Sequence, residues 1–324
     1  MVLSTHPHHA IRNWLFFTAF MVFAMAVIGA ITRLTESGLS MVEWKPLIGA
    51  IPPLSETEWE RVFALYKQTP EFIHKNNWME MDDFKRIFFW EWLHRLWGRI
   101  IGLVFALPLA WFWLRGKIPQ GYKLKFLGVL ALGGLQGFMG WFMVMSGLVD
   151  EPAVSHYRLA AHLSLALIIF CCLLWLAFDF TDRPGGGTFC QKRHGWISFV
   201  MLGITIIWGA FTAGLDGGML YNTWPMMDSH WVPPEMALPF GFLNDPGAVQ
   251  FVHRWLAATA FVFIVWFGWR MKNFPLILMA LFQVALGIGT VMSQVVIPMA
   301  ALHQAGAMFL LALMIRQLHT LHRS

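Results

Sequence analysis

Residues 88–114, FFWEWLHRLWGRIIGLVFALPLAWFWL, decide the fold. The stretch is longer than the roughly 20 apolar residues a helix needs to cross a bilayer. Its first half nevertheless carries Glu91, His94, Arg95 and Arg99. Working outward, apolar runs of similar length recur at 14–33, 126–148, 155–178, 195–214, 248–270, 274–296 and 298–316, which predicts an all-α membrane protein with eight transmembrane helices. Composition agrees, with 57% hydrophobic residues, 13% charged residues and a mean hydropathy of +0.57. A soluble domain carries about 25% charge, so a soluble helical core is excluded.

The isoelectric point near 9.3 reflects topology rather than nucleic-acid binding, because the basic residues gather at span ends. The connections 115–125, 179–194 and 270–273, with the two termini and Arg316 at the end of the last span, hold 12 of the 23 Lys and Arg. The loops 149–154 and 215–247 hold none, and the long loop 34–87 holds six basic residues against nine acids. The positive-inside bias therefore predicts cytoplasmic termini and an external acidic loop. The opening MVLSTHPHHAIRN leads straight into a full-length span and resembles neither a signal nor a transit peptide. This predicts a bacterial inner-membrane location. Cys171 and Cys172 lie mid-span and Cys190 in a polar loop. No CxxC or Cys/His spacing supports a zinc or iron–sulfur centre.

The chain also repeats itself. GAITRLTESGLSMVEW (29–44) aligns with GAFTAGLDGGMLYNTW (209–224), WEWLHRLWG (90–98) with VQFVHRWLA (249–257), and YRLAAHLSLAL (157–167) with PMAALHQAGAM (298–308). Three matches in one order predict two tandem four-helix bundles, 1–178 and 195–324, joined by a cytoplasmic linker at 179–194. Each half has an even number of spans, so both share one orientation. A pseudo-two-fold axis then lies along the membrane normal. Within the 34–87 loop, Ser55 and Glu58 form a capping-box pattern ahead of an apolar stripe of Trp59, Val62, Phe63 and Tyr66. This predicts an amphipathic helix on the membrane surface or over the bundle.

Four histidines, His94, His162, His253 and His303, occupy the alternate spans that start outside, each one or two turns in. A lone intramembrane histidine is usually a packing residue. Four at similar depth, two per half, suit bis-imidazole ligation of two haems between bundle helices. Arg33, Arg95, Arg99, Arg158 and Arg254 sit in or at the outer ends of spans, where cations need an anionic partner. Haem propionates would supply it for Arg95, Arg99, Arg158 and Arg254. The halves differ at one telling position, Glu91 before His94 against Gln250 before His253. A carboxyl can exchange protons or stabilise developing positive charge, and an amide cannot exchange protons at ordinary pH. Either that role or an i,i+4 ion pair with Arg95 accounts for Glu91. Gly133, Gly134, Gly137, Gly140, Gly287 and Gly289 mark places where helices, or a flat macrocycle, could approach closely.

TRLTESGLSMVEWKP, PPLSETEWE, YKQTPEF, EWLHRLWGR, GWFMVMSGL, YRLAAHLSLAL, AGLDGGMLYNTWP, VQFVHRWLA and ALHQAGA together resemble the haem A synthase family, in its α-proteobacterial and mitochondrial type. The resemblance implies a membrane oxidoreductase that oxidises a methyl group of haem O to the formyl group of haem A for cytochrome c oxidase. It further implies Glu91 as the key acid, His94 and His162 around the substrate haem, and His253 and His303 as axial ligands of a haem b cofactor. An electron donor, haem O synthase and oxidase assembly factors are the partners it suggests. Some family members carry paired cysteines in their outer loops, and these loops have none. A diheme cytochrome b carrier is the rival reading. It accounts for the histidines but not for the Glu91/Gln250 difference.

Overall fold

The computed structural model describes residues 8–43, 48–147, 154–181 and 185–323. The residues before 8, Trp44 of the first repeat segment, most of the 149–154 loop and Arg183 lie outside them. The described chain is helical. Its main helices are α1 (His9–Leu34), α2 (Glu56–Tyr66), α3 (Met81–Leu114), α4 (Lys123–Gly147), α5 (His156–Asp179), α6 (Phe189–Gly214), α7 (Pro246–Arg270), α8 (Phe274–Met292) and α9 (Ile297–His322). Among the described residues, all of these except α2 are long and apolar enough to span a membrane, eight in total. Helices are required there because hydrocarbon offers backbone amides no other partner.

Helix ends depart from the hydropathy boundaries where polar side chains cap them. Helix α6 begins at Phe189 rather than near 195, because Thr188 and Gln191 satisfy each other's backbone N–H groups in a capping box. Cys190, Lys192 and Arg193 therefore belong to a helix rather than a loop. Asp245 starts α7 by accepting from the Gly247 and Ala248 amides at 2.9 and 3.1 Å. Helix α8 stops at Met292 because Gln294 and Val295 turn left-handed, at φ 56° and 59°. The Val295 amide then closes the turn on the Thr290 carbonyl at 2.9 Å.

The chain divides into two compact units, 24–162 and 1–23 with 163–324. In the larger unit, α6 meets α7 through Ser198, whose hydroxyl donates to the Phe263 carbonyl at 3.3 Å. The ends of α5 and α9 are tied by Asp179 to His319 at 2.8 Å and by Arg323 to the Thr181 carbonyl. Phe16 of α1 packs edge-on against Phe178.

In the 24–162 unit, α2 packs on the first turns of α3. Phe63 and Tyr66 stack on Phe84 with ring centroids 4.8 and 5.2 Å apart. Met41, Ile87 and Phe88 complete this core, with Trp59 and Val62 against it. Ser55 accepts from the Glu58 amide at 3.3 Å, the N-cap arm of the expected box. Below α2 lies a buried polar knot. Tyr66 donates its hydroxyl hydrogen to Glu71 Oε2 at 3.0 Å, and Asn76 Nδ2 donates to the Tyr66 oxygen at 2.8 Å. Burial pushes the Glu71 carboxyl up to about 8, opposed by the Tyr66 hydrogen bond and reinforced by the charges of Glu91 and Glu36.

The folded segment thus keeps a proton that the unfolded chain releases near 4.5. Its contribution is whole below that pH, declines as pH climbs toward 8, and is lost above it. Intrinsic-rate-corrected hydrogen exchange across 56–84 should therefore speed up between pH 6 and about 9. Glu71→Gln should remove the dependence.

Candidate functional site

The four span histidines are held by one local device. Each imidazole lies on a glycine of a neighbouring helix, where even a methyl would crowd it. A Cβ on Gly29 of α1 would stand 3.2 Å from His94 Nε2, and one on Gly140 of α4 would stand 3.2 Å from His162 Cε1. In the other unit, Cβ atoms on Gly209 of α6 and Gly287 of α8 would stand 3.0 Å from the Cε1 atoms of His253 and His303. Gly140 and Gly287 were among the glycines expected at close approaches. Gly133, Gly134 and Gly137 meet nothing within 4 Å.

Glutamines hold two of the rings. Gln283 Nε2 lies 3.1 Å from His303 Nδ1 and donates to the His303 carbonyl at 3.0 Å. Gln136 Nε2 is 3.3 Å from the His162 ring nitrogens and donates to the His162 carbonyl at 3.1 Å. In sequence each glutamine precedes, by one helical turn, the glycine that packs on the same histidine. That Q-x-x-x-G pattern was the available signal, and hydropathy passes over it. His253 Nδ1 faces the Thr205 carbonyl at 3.1 Å. A carbonyl can only accept, so Nδ1 carries the hydrogen and the Nε2 lone pair is left for a metal.

The His253 and His303 rings stand 6.5 Å apart between centroids, at 87°. Two imidazole–metal bonds of about 2 Å would separate the centroids by roughly 6 Å. This pair therefore fits a bis-histidine haem. Among the described residues, no group of three His, Cys, Asp or Glu is placed to hold a bare metal ion. A porphyrin supplies four ligands itself and asks the protein for two. His94 lies within electrostatic reach of His162, in a unit of its own with α1 and α4. Buried polar atoms without a partner, Gln136 Oε1 in one unit and Gln250 Oε1, Gln283 Oε1 and Arg254 Nε in the other, also suit sites completed by a polar ligand.

The acid position is built differently in each unit. Glu91 is buried, and its Oε2 accepts from the Ser40 hydroxyl at 2.6 Å and the Met41 amide at 2.7 Å. Its Oε1 takes Arg95 Nη2 at 2.6 Å, so the i,i+4 ion pair forms inside the protein. Arg95 also donates to the Met41 carbonyl at 3.1 Å. Gln250, equally buried, donates instead to the Tyr221 carbonyl at 3.0 Å. Arg254 donates to that same carbonyl at 2.9 Å, and to Thr223 at 2.9 Å. Met41 and Tyr221 occupy the same position in the aligned segments 29–44 and 209–224. Of the other arginines, Arg99 donates to the Gly49 carbonyl at 3.4 Å, and Arg158 lies over the Phe142 ring at 4.9 Å. Nothing in the motifs announced Ser40 and Met41 as the clamp on Glu91.

The glycine contacts predict a selective effect. Gly209→Ala and Gly287→Ala should lower the haem-to-protein ratio of the purified protein severalfold, measured by pyridine haemochrome. Gly134→Ala should leave it unchanged.

The COX15-CtaA family, described as cytochrome oxidase assembly protein, matches residues 12–315. A relative named "Heme A synthase" in Rhodospirillum centenum is 47% identical over 96% of this chain and 88% of its own. The protein of that name in Paramagnetospirillum magneticum is 46% identical, covering 99% of this chain and 96% of its own. The one in Nitrosospira multiformis is 41% identical, covering 97% and 94%. With residues 12–315 matched and relatives aligned over nearly their full length, the chain belongs to the haem A synthase family of cytochrome oxidase assembly proteins.

Proposed function

We propose that this chain oxidises the methyl group of haem O to the formyl group of haem A, with the substrate between His94 and His162 and a resident haem b between His253 and His303. The carrying observation is the difference between two otherwise parallel sites. Glu91 is an ionisable carboxyl gripped by Ser40, Met41 and Arg95, and its counterpart Gln250 is a fixed amide.

When bound, haem b supplies one-electron transfer. The residues around it orient and shield. The Thr205 carbonyl fixes the His253 tautomer, Gln283 sets the His303 ring, and Gly209 and Gly287 leave room for both imidazoles close to their helices. At the substrate site Gly29, Gly140 and Gln136 do the same for His94 and His162. With water as the oxygen source and a one-electron oxidant, reached through the haem b site, taking the electrons, oxidation of the methyl to an alcohol, then to a hydrated aldehyde that loses water, would release protons near the reacting carbon. Glu91 Oε2 is the atom that takes them. The Glu91 side chain also stabilises positive charge developing at that carbon, and the ion pair with Arg95 holds it in place.

Arg95, Arg99, Arg158 and Arg254 would hold the propionates through donors that now reach backbone carbonyls, Glu91 or the Phe142 ring. The isoprenoid tail of haem O favours entry from the lipid. The basic loops support cytoplasmic termini, and in this reading the membrane is a bacterial inner membrane. An electron-transfer partner, haem O synthase and oxidase assembly factors are the partners in this reading. A diheme carrier needs no acid beside one of its two ligand pairs, so Glu91 speaks against it.

The test is expression with a haem O supply, followed by extraction and chromatography of haems. Glu91→Gln should abolish haem A while haem b stays. His253→Ala and His303→Ala should each abolish the low-spin haem b spectrum. If His94→Ala abolishes that spectrum instead, the two sites are assigned the wrong way round.

A further inference from the structure

Three donors meet on Glu91, and they are not interchangeable. Among the described residues, the Ser40 hydroxyl and the Met41 amide donate to Oε2 at 2.6 and 2.7 Å, and Arg95 donates to Oε1 at 2.6 Å. All three suit a carboxylate, which only accepts. A protonated carboxyl also donates, and its hydrogen needs a lone pair to meet. An amide N–H and a guanidinium have none to offer. A hydroxyl has, so Ser40 alone of the three partners can reverse its role.

Reversal requires a second acceptor for the Ser40 hydrogen, and the same turn provides it. The Ser37 carbonyl lies 3.2 Å from Ser40 Oγ. Ser37 is itself tied down, its amide donating to the Thr32 carbonyl at 2.9 Å and its hydroxyl meeting that of Thr35 at 2.6 Å. Ser37 and Ser40 are both fully buried, which shields the pair from bulk water.

The repeat links the hydroxyl to the acid. In the aligned segments 29–44 and 209–224, Ser40 falls opposite Leu220 and Ser37 opposite Gly217. Where the acid becomes Gln250, the hydroxyl goes with it. Leu220 is half-exposed, and Gln250 Oε1 is buried without a partner among the described residues. An amide keeps one set of donors and acceptors throughout, so it has no use for a partner that donates and accepts in turn.

We propose that Ser40 is a two-way hydroxyl that holds Glu91 in place in both of its protonation states. It donates to Oε2 while Glu91 is a carboxylate. Once Glu91 has taken a proton, Ser40 accepts from the new Oε2–H and turns its own hydrogen to the Ser37 carbonyl. The proposal rests on the reading of Glu91 given above. In this step one O–H bond forms on Oε2, and the Ser40 O–H bond rotates about Cβ–Oγ without breaking. Met41 and Arg95 remain donors throughout. Ser40 is thus a positioning residue that acts through Glu91 rather than on the substrate.

Infrared difference spectra of the haem-free protein, acidified against neutral, test this without turnover. The carbonyl band of protonated Glu91 is the one that Glu91→Gln removes. In Ser40→Ala the acid hydrogen loses its acceptor, so that band should move to higher wavenumber. Ser40→Thr keeps the hydroxyl and should leave the band near its wild-type position. In membranes supplied with haem O, Ser40→Ala should slow haem A formation about tenfold or more, with haem b content unchanged. Ser40→Thr should recover most of that rate. Should Ser40→Ala fail to fold, Ser40→Cys replaces it, with a smaller band shift in the same direction because a thiol is a weak acceptor.

A Glu91 band unmoved by Ser40→Ala, a wild-type rate in that variant, or a Ser40→Thr protein that behaves like Ser40→Ala overturns the proposal. So does the absence of any Glu91-dependent band at every pH where the protein stays folded. Should wild-type protein form no haem A, the reading of Glu91 fails, while the band shift still decides whether Ser40 accepts from the acid.

Discussion

Hydrocarbon cannot solvate a polar group, so every imidazole, amide or charge carried into a span has to be met by another part of the same chain. The arrangement of both units follows from that constraint. An imidazole on a helix facing a bulky neighbour would be pushed out toward lipid. Glycines at 29, 140, 209 and 287 lower the neighbouring helix surface by a side chain, and each ring lies against backbone instead. Small residues do here for a ring what they do for helix–helix approach in membranes generally. Gly306 serves the same end one step back, because a Cβ there would collide with Gln283 Oε1, and Gln283 is the side chain that holds His303.

The ion pair of Glu91 and Arg95 obeys the same constraint at higher cost. Removing one partner of a buried pair typically costs about 3–5 kcal/mol, because the other charge is stranded. The chain therefore brings Ser40 and the Met41 amide and carbonyl down onto the pair. The pair thereby fixes where the 40–41 segment sits, and through Met41 it anchors the aromatic core under α2. Structure and chemistry are not alternatives at Glu91. The interactions that hold the carboxylate in place also fix its orientation for the proton exchange proposed above.

Much of this was legible in sequence because it obeys periodicities. Apolar length marked eight spans, alternate placement marked the four histidines, and a single acid-to-amide change marked the unequal sites. Helix ends were less legible, since capping side chains such as Thr188 and Asp245 extend helices past the point where hydropathy falls. Partners supplied by loops or by the opposite side of a ring were not legible at all. Ser40 and Glu71 look like ordinary loop polars, and only folding places one on Glu91 and buries the other under Tyr66. Gln136 and Gln283 were readable in principle, through their spacing to Gly140 and Gly287. Pattern reading weights charge above amides, so they passed as neutral span residues.

On the proposed assignment, the charge balance accounts for two sites that share a plan and differ in work. In the 24–162 unit, the charge of Arg95 is answered within the protein by Glu91. In the other unit, Arg254 meets carbonyl dipoles and leaves its Nε buried without a partner, and Gln250 adds no charge. An arginine held by carbonyl oxygens rather than by an ion-paired carboxylate keeps a positive field that would suit the permanently bound anionic ligand proposed there. An arginine already neutralised by a carboxylate holds its ligand less tightly and keeps a group that can gain and lose a proton. Tight retention is what a resident cofactor requires, and looser binding beside a titratable acid is what a substrate that must leave requires. One substitution, acid for amide, moves a duplicated helix pair from the first condition to the second.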